Sequence, residues 1–552
     1  MKADQIIKNA KIFTSNKDYP QASALVVKDG KFVYVGDEAG LADYEGEVTD
    51  LGGKFIMPGI IDSHVHITTS VAFDYVDLGE RVDCASKQEA LDFMAEYIRN
   101  NPGVESYRFM MGKPVLNGEE LVKEDLDAIC PDSEIVILEE ECHSVWVNSR
   151  VLENHGITDD TPDPAPEICY YVRKDGHLTG NAFEAAAWPF LFAQLQKTLT
   201  DEQIEASFTR WIDFCKDQGV CAVFDAGFPE HNEWQERFYK YLQGMDKQGK
   251  LPVYVDGCYF LTNRRKVQEV LDGTKRWNRE FTTEHMKVHT FKLFNDGTQK
   301  IHTAAMVTPY ADTGKTGATT LTAEEVADLL MKLNEEGLDL HVHTVGEQSS
   351  RAVLDGVEMA RKELGDDYHV RVTCAHLEVQ VDSDLDRFAE LGVIANFTPW
   401  WNIGGDLPDK IVLLGEERAR KQFRCRTMWD TGALVAWSSD NVAYLDFAPW
   451  NPYLGMEIGM TRCSTEKTNI YDYMKLFEVY PPENEVMTVE EMILGYTING
   501  AIQLGIEDAK GSIEAGKDAD FLVFDNDLLT AEHEGFSQNK PSEVYFSGKK
   551  MK

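Results

Sequence analysis

The stretch MPGIIDSHVHI, Met57 to Ile67, decides the reading of this chain. Pro58-Gly59 punctuates the backbone, and the apolar run after it ends on His64-Val65-His66. Side chains alternate along a strand, so Asp62, His64 and His66 fall on one face. Two imidazoles on one face at the carboxyl end of a strand make up two thirds of a three-ligand metal site. In a barrel of parallel strands, that end is where chemistry collects. Asp62 is placed to orient one imidazole from behind. An HxH pair also arises where histidines merely pack, so the case depends on what other strands end in.

Downstream, strand and helix alternate. Strand-like runs occur at Glu134 to Leu138, Cys221 to Asp225, Val288 to Phe294, Leu338 to His343, Val370 to His376, Val393 to Phe397 and Ala433 to Ser438. Helical stretches at Ile204 to Gln218, Ala323 to Glu336 and Ser383 to Leu391 separate several of them. This alternation predicts an α/β fold, a (β/α)₈ TIM barrel over residues 58–507. Residues 78–189 are too many for one crossover and read as an inserted subdomain or lid. Both ends of the chain are β-rich: Ile6-Ile7, Ala10 to Phe13, Leu25 to Val27 and Phe32 to Val35 at one, Asp520 to Phe524 and Val544 to Phe546 at the other. Asp29-Gly30 is a hairpin signal. Residues 1–57 and 508–552 are therefore expected to form one small β-sandwich.

The chain has 552 residues, 43% of them hydrophobic, enough for a large core. Its formal net charge is −40. That argues against a nucleic-acid backbone or an anionic membrane as partner, since both are negative. The amino terminus lacks a long apolar segment, and the ten cysteines form no CxxC pair. A reduced, cytoplasmic protein is expected. The expected partner is a small-molecule substrate, and the expected assembly, if any, a homodimer.

Three more predicted strands end in metal-ligand types. LDLHVHTVGE offers His341 and His343, two residues apart on one face, and the spacing does not choose between them. RVTCAHLE ends in His376, and ALVAWSSD in Asp440. Singly, each has a bland explanation, such as a packed histidine or a helix-capping aspartate. Their coincidence at strand ends carries the weight. Lys292 sits in VHTFKLFNDG, among apolar and small residues where a charged ammonium is costly. It either snorkels to solvent or is neutralised and reacts with CO₂, giving a carbamate whose oxygens can bridge two metals.

The motifs taken together resemble the amidohydrolase superfamily over nearly the full length. MPGIIDSHVHI is similar to its hallmark strand, and KGSIEAGKDADFLVFD to its carboxyl-terminal return. CHSVWVNSRVLENHGIT followed by LTGNAFEAAA resembles the branch that includes N-substituted formamide deformylase. HTVGE carries Glu347 where that branch usually has Asp, and SSDN departs from its pattern at Asn441 and Val442.

The resemblance implies that His64, His66 and Asp440 hold one divalent metal. It implies that carboxylated Lys292 bridges to a second metal held by His343 and His376, so it selects His343 over His341. It places His143 in the substrate pocket, with Asp440 and His143 as the catalytic side chains. Zinc is the expected metal, with iron or manganese as alternatives. The expected reaction is hydrolysis of a non-peptide C–N bond, in an amide, formamide or cyclic amide, by metal-activated hydroxide. A lyase or isomerase on the same barrel, and a non-catalytic scaffold, are the competing readings. Trp400, Trp401 and Trp437 lie beside predicted strand ends and hint at an aromatic or apolar substrate group, although tryptophans so placed more often pack in the core.

Overall fold

The computed structural model describes the whole chain except residues 113–114, 117–118, 141, 193–197, 230–231 and 443–447. Eight parallel strands form its centre: β1 (Ile60–Val65), β2 (Val220–Asp225), β3 (Tyr254–Leu261), β4 (Met286–Phe294), β5 (Asp339–Thr344), β6 (Val372–His376), β7 (Ile394–Phe397) and β8 (Val435–Trp437). Each pairs with the next in chain order. They are buried nearly end to end, which is why they read as apolar runs rather than as alternating ones.

The barrel closes where the ligands are. The Asp440 amide donates to the His64 carbonyl at 2.8 Å, and the His66 amide to the Asn441 carbonyl at 3.0 Å. The Ser63 hydroxyl donates to the Trp437 carbonyl at 2.7 Å. β8 is thereby joined to β1 just beyond its own short span.

Helix boundaries follow local chemistry. Thr200 with Gln203 and Thr322 with Glu325 form capping boxes that start the helices Asp201–Gln218 and Ala323–Glu336. Both helices stop at a left-handed glycine, Gly219 and Gly337, which turns the chain into β2 and β5.

Two placements differ from the sequence expectation. Glu134–Glu139 is a strand, but of the inserted sheet rather than the barrel. The barrel strand that the alternation leaves out is β3. Its YVDGCYFL carries an aspartate and a glycine that break the apolar run. Asp256 meets His289, and Gly257 makes room for Tyr239, whose hydroxyl would lie 2.5 Å from an added Cβ.

Between Glu80 and Phe183 the chain builds a six-stranded mixed sheet with its own core, including Met94, Phe109, Ile137 and Trp146. The helix Trp188–Phe192 then brings it back to the barrel mouth. Lys300, in the loop after β4, holds the insert through Glu139 at 2.5 Å and the Gly112 carbonyl at 2.7 Å.

The two termini form two facing sheets. One has four amino-terminal strands; the other has six and mixes strands from both ends. Ile7, Leu25, Phe32, Ile56, Phe521 and Val523 share one core cluster. Asp29 and Gly30 both have positive φ, 49° and 79°, as a tight hairpin requires. None of the ten cysteines forms a disulfide. No helix among the described residues is long and apolar enough to cross a membrane.

Candidate metal centre

His64 and His66 leave the end of β1 on the same side, with ring centroids 5.4 Å apart. Asp440, just past β8, reaches both: its Oδ1 lies 3.3 Å from His64 Nε2 and 3.4 Å from His66 Nε2. The donor atoms of these three residues lie within 4.8 Å of one another. The remaining nitrogen of each ring is engaged. His66 Nδ1 donates to the Gly227 carbonyl at 2.7 Å, and His64 Nδ1 pairs with His341 Nε2 at 2.9 Å. The carbonyl contact fixes the His66 tautomer and leaves its Nε2 as the electron-pair donor, while His341 holds the orientation of the His64 ring.

Lys292 is 1% exposed, and its Nζ lies 3.3 Å from His64 Nε2. Burial lowers its pKa to about 8. His376 closes the opposite side, with Nδ1 3.5 Å from Asp440 Oδ2, and its ring centroid is 4.3 Å from that of His343. Lys292, His66, His343, His376, Asp440 and His143 all line one pocket, and His64 is buried beneath it. The structure thus brings together every sequence-predicted site residue. It also gives His341 a separate role: it backs His64 and stacks on Phe224 at 4.4 Å.

The residues present fit a divalent cation. Both ring nitrogens of His376, and Asp440 Oδ1, are buried without a hydrogen-bond partner among the described residues. Each such orphan costs about 1–3 kcal/mol if it stays unmet. Burial, aided by neighbouring positive groups, holds His64, His341, His343 and His376 well below the usual imidazole range. Neutral imidazoles and a carboxylate are the donors that zinc, iron or manganese take. The backbone is strained here as well. His376, Leu377 and Asp440 have φ of 79°, 51° and 47°, at about 1–3 kcal/mol each.

Asp62 does not orient an imidazole. Its carboxylate accepts from the Ser439 amide and hydroxyl and from the His64 backbone amide, while burial raises its pKa to about 7. The aspartate that the sequence places behind a ligand ring instead fastens the backbones of β1 and β8.

None of the three tryptophans beside strand ends is among the residues that line the pocket. Trp437 is fully buried away from the pocket, its Nε1 donating to the Glu491 carbonyl. Trp400 donates to the Ser439 carbonyl, and Trp401 stacks on His376 at 5.4 Å. The pocket's apolar lining comes from Phe73, Trp188, Phe192, Phe260 and Phe294. Trp188 and Phe192 lie on the helix that returns from the insert to the mouth, which no strand pattern announces. Glu347 is buried outside the ligand cluster, where it accepts from the Thr308 amide, and Val442 lines the pocket.

The sequence profile of the amidohydrolase family matches residues 47–551. The N-substituted formamide deformylase of Arthrobacter pascens is 26% identical over 553 residues, covering 95% of this chain and 94% of that protein. The protein LONG AFTER FAR-RED 3 of Arabidopsis thaliana is 24% identical over 567 residues, covering 100% of this chain and 91% of its own. Among solved structures, an uncharacterized metal-dependent hydrolase of Pyrococcus horikoshii shares the fold, with a TM-score of 0.66 at 22% identity, covering 96% of this chain and 99% of that one. With a barrel whose strand ends gather His64, His66, His343, His376 and Asp440 around a buried lysine, and with a profile match over residues 47–551, the chain belongs to the amidohydrolase family.

Proposed function

We propose that the protein is a metal-dependent hydrolase that cleaves a non-peptide C–N bond, in an amide, formamide or cyclic amide, of a small molecule with an apolar or aromatic group. The observation that carries this is the single pocket that Lys292, His343, His376, Asp440 and His143 share with an aromatic wall. His64, His66 and Asp440 are the ligands proposed for one divalent ion, His343 and His376 for a second, and Lys292, carboxylated, for the bridge. Such ions, zinc foremost, supply polarisation of a carbonyl and acidification of a water.

The chain's own residues account for the rest. Asp440 Oδ1 is a buried acceptor at the centre of the site, suited to take a proton from the attacking water and return it to the leaving nitrogen. A Lys292 pKa near 8 leaves part of the amine neutral near neutral pH, the form that attacks CO₂. Phe73, Trp188, Phe192, Phe260 and Phe294 shed water from the pocket and offer an apolar surface to the substrate. The A. pascens relative, named a formamide deformylase, supports the formamide option.

The test is a product-identified screen of N-formyl, N-acyl and cyclic amides with metal-loaded protein. Release of an amine and a carboxylic acid from an aromatic or apolar member is the expected result. Isomerised or eliminated products, with no hydrolysis of any member, would move the chemistry to the competing class.

A further inference from the structure

We infer that Glu184 is a positioning residue for His143, and that this pair, carried by the insert, presents His143 Nε2 to the substrate. Neither the barrel nor its ligands supply the pair; it belongs to the segment that covers the mouth. The inference rests on the hydrolase reading for its kinetic test, but not for its structural one.

His143 lines the pocket beside Lys292, His343, His376 and Asp440. Its Nδ1 lies 2.6 Å from Glu184 Oε2, and the Glu184 amide donates to the His143 carbonyl at 2.7 Å. The two residues are therefore tied through both backbone and side chain. Glu184 is fully buried and has a φ of 53°, a conformation that a β-carbon resists. Its other oxygen, Oε1, accepts from the Thr303 hydroxyl at 2.7 Å and the Thr298 amide at 3.2 Å.

Thr298 and Thr303 belong to the loop after β4, the strand of Lys292. That loop comes so close that an added Cβ on Gly297 would lie 2.3 Å from Glu184 Oε1 and 2.2 Å from Thr303 Oγ1. The Gly297 carbonyl in turn lies 3.4 Å from His343 Nε2. One glycine thus separates the carboxylate that holds His143 from a ring of the proposed metal site.

Glu184 accepts at Oε1 from Thr298 and Thr303, and with its carboxylate as the acceptor on the other side too, the proton between the two side chains is on His143 Nδ1. That tautomer makes Nε2 the acceptor offered to the pocket. A histidine on a lid without this support could turn its ring or exchange tautomers. Fixing both is the service that an orienting carboxylate gives a catalytic imidazole.

Glu184→Gln keeps the shape but offers an amide N–H to His143 Nδ1, which favours the other tautomer. The variant is expected to keep the wild-type metal content and a KM within a few-fold of the parent, and to lose kcat by roughly 10²–10⁴-fold. Adding Glu184→Gln to His143→Gln should cost no further activity, because the two residues act as one unit. Near-normal kcat in Glu184→Gln, or losses that multiply in the double variant, would overturn the proposal. Independently of any substrate, ¹⁵N-histidine spectra of the wild-type protein, assigned by difference from His143→Gln, should show the His143 proton on Nδ1. A neutral His143 protonated on Nε2 alone would overturn it as well. If the wild-type protein hydrolyses none of the amides, the hydrolase reading falls, while the spectra still decide the role of Glu184.

Discussion

Asp62 accepts both the amide and the hydroxyl of Ser439, at 3.0 and 2.6 Å, and so ties the first barrel strand to the last one residue ahead of Asp440. The metal-ligating type in the last strand is thus delivered by the same bonds that close the barrel. Asp62→Ala should lower the melting temperature and the bound metal together. Each buried bond left unmet is worth about 1–3 kcal/mol. Ser439→Ala keeps the backbone bond and should cost less of both. Wild-type melting and metal content in Asp62→Ala would show that the seam does not place Asp440.

Asp440→Asn should keep the fold and lose turnover. The residue sits at a φ of 47°, which asparagine tolerates better than most side chains, so the backbone has no cause to move. The amide has no carboxylate to take a proton, and general-base loss costs roughly 10²–10⁴-fold. Steady-state kinetics with metal content measured in parallel checks this. Turnover within a few-fold of wild type would place the proton transfer elsewhere, with His143 the next candidate.

Lys292→Ala should lose activity and part of the metal. A bare ammonium has no lone pair for a cation, so the lysine ligates only once carboxylated. Short carboxylic acids added to the variant should restore part of both by filling the vacated oxygen positions. Metal loading and activity unchanged in Lys292→Ala would remove the bridge from the account, and so would an unmodified lysine side chain in a crystal of the fully loaded protein.

A charge network inside the barrel sets a pH limit on stability. His289 is buried between Asp256 and Asp339, each 3.0 Å away, and Arg371 pairs with Asp339 at 2.8 Å. Burial works against the imidazolium, but the two carboxylates outweigh it and raise the pKa to about 9. A raised histidine pKa stabilises the fold fully below its unfolded value, about 6.5. That contribution, up to roughly 3 kcal/mol, is lost as pH climbs through 9. Urea unfolding between pH 6 and 9.5 should show the decline in the wild type and a flatter profile in His289→Gln. Identical profiles would show that His289 is uncharged in the fold.

The sequence carries the barrel and the ligand types for one physical reason. A strand buried on both faces must be apolar, so a histidine, lysine or aspartate at its end stands out. His64, His66, Lys292, His376 and Asp440 stand out this way; His341 and His343 do so equally, and only the family resemblance chooses between them, while the helix caps at Thr322 and Gly337 mark a boundary to the residue. What is not legible depends on long-range approach. Asp62 looks like a partner for a ring until the far end of β8 arrives with Ser439. β3 is hidden because Asp256 and Gly257 interrupt its apolar run for the sake of His289 and Tyr239. Glu184 sits in a motif-like segment, but only the loop around Gly297 shows what its second oxygen does. The aromatic wall escapes because Trp188 and Phe192 reach the pocket from the helix that follows the inserted sheet rather than from a strand end.

The central claim is that this pocket works as a metal centre, and the most direct test is metal analysis of active protein purified without chelator. The account predicts about two divalent ions per chain, with activity lost as they are removed and recovered as they are returned. Full activity in protein that holds no metal would contradict it.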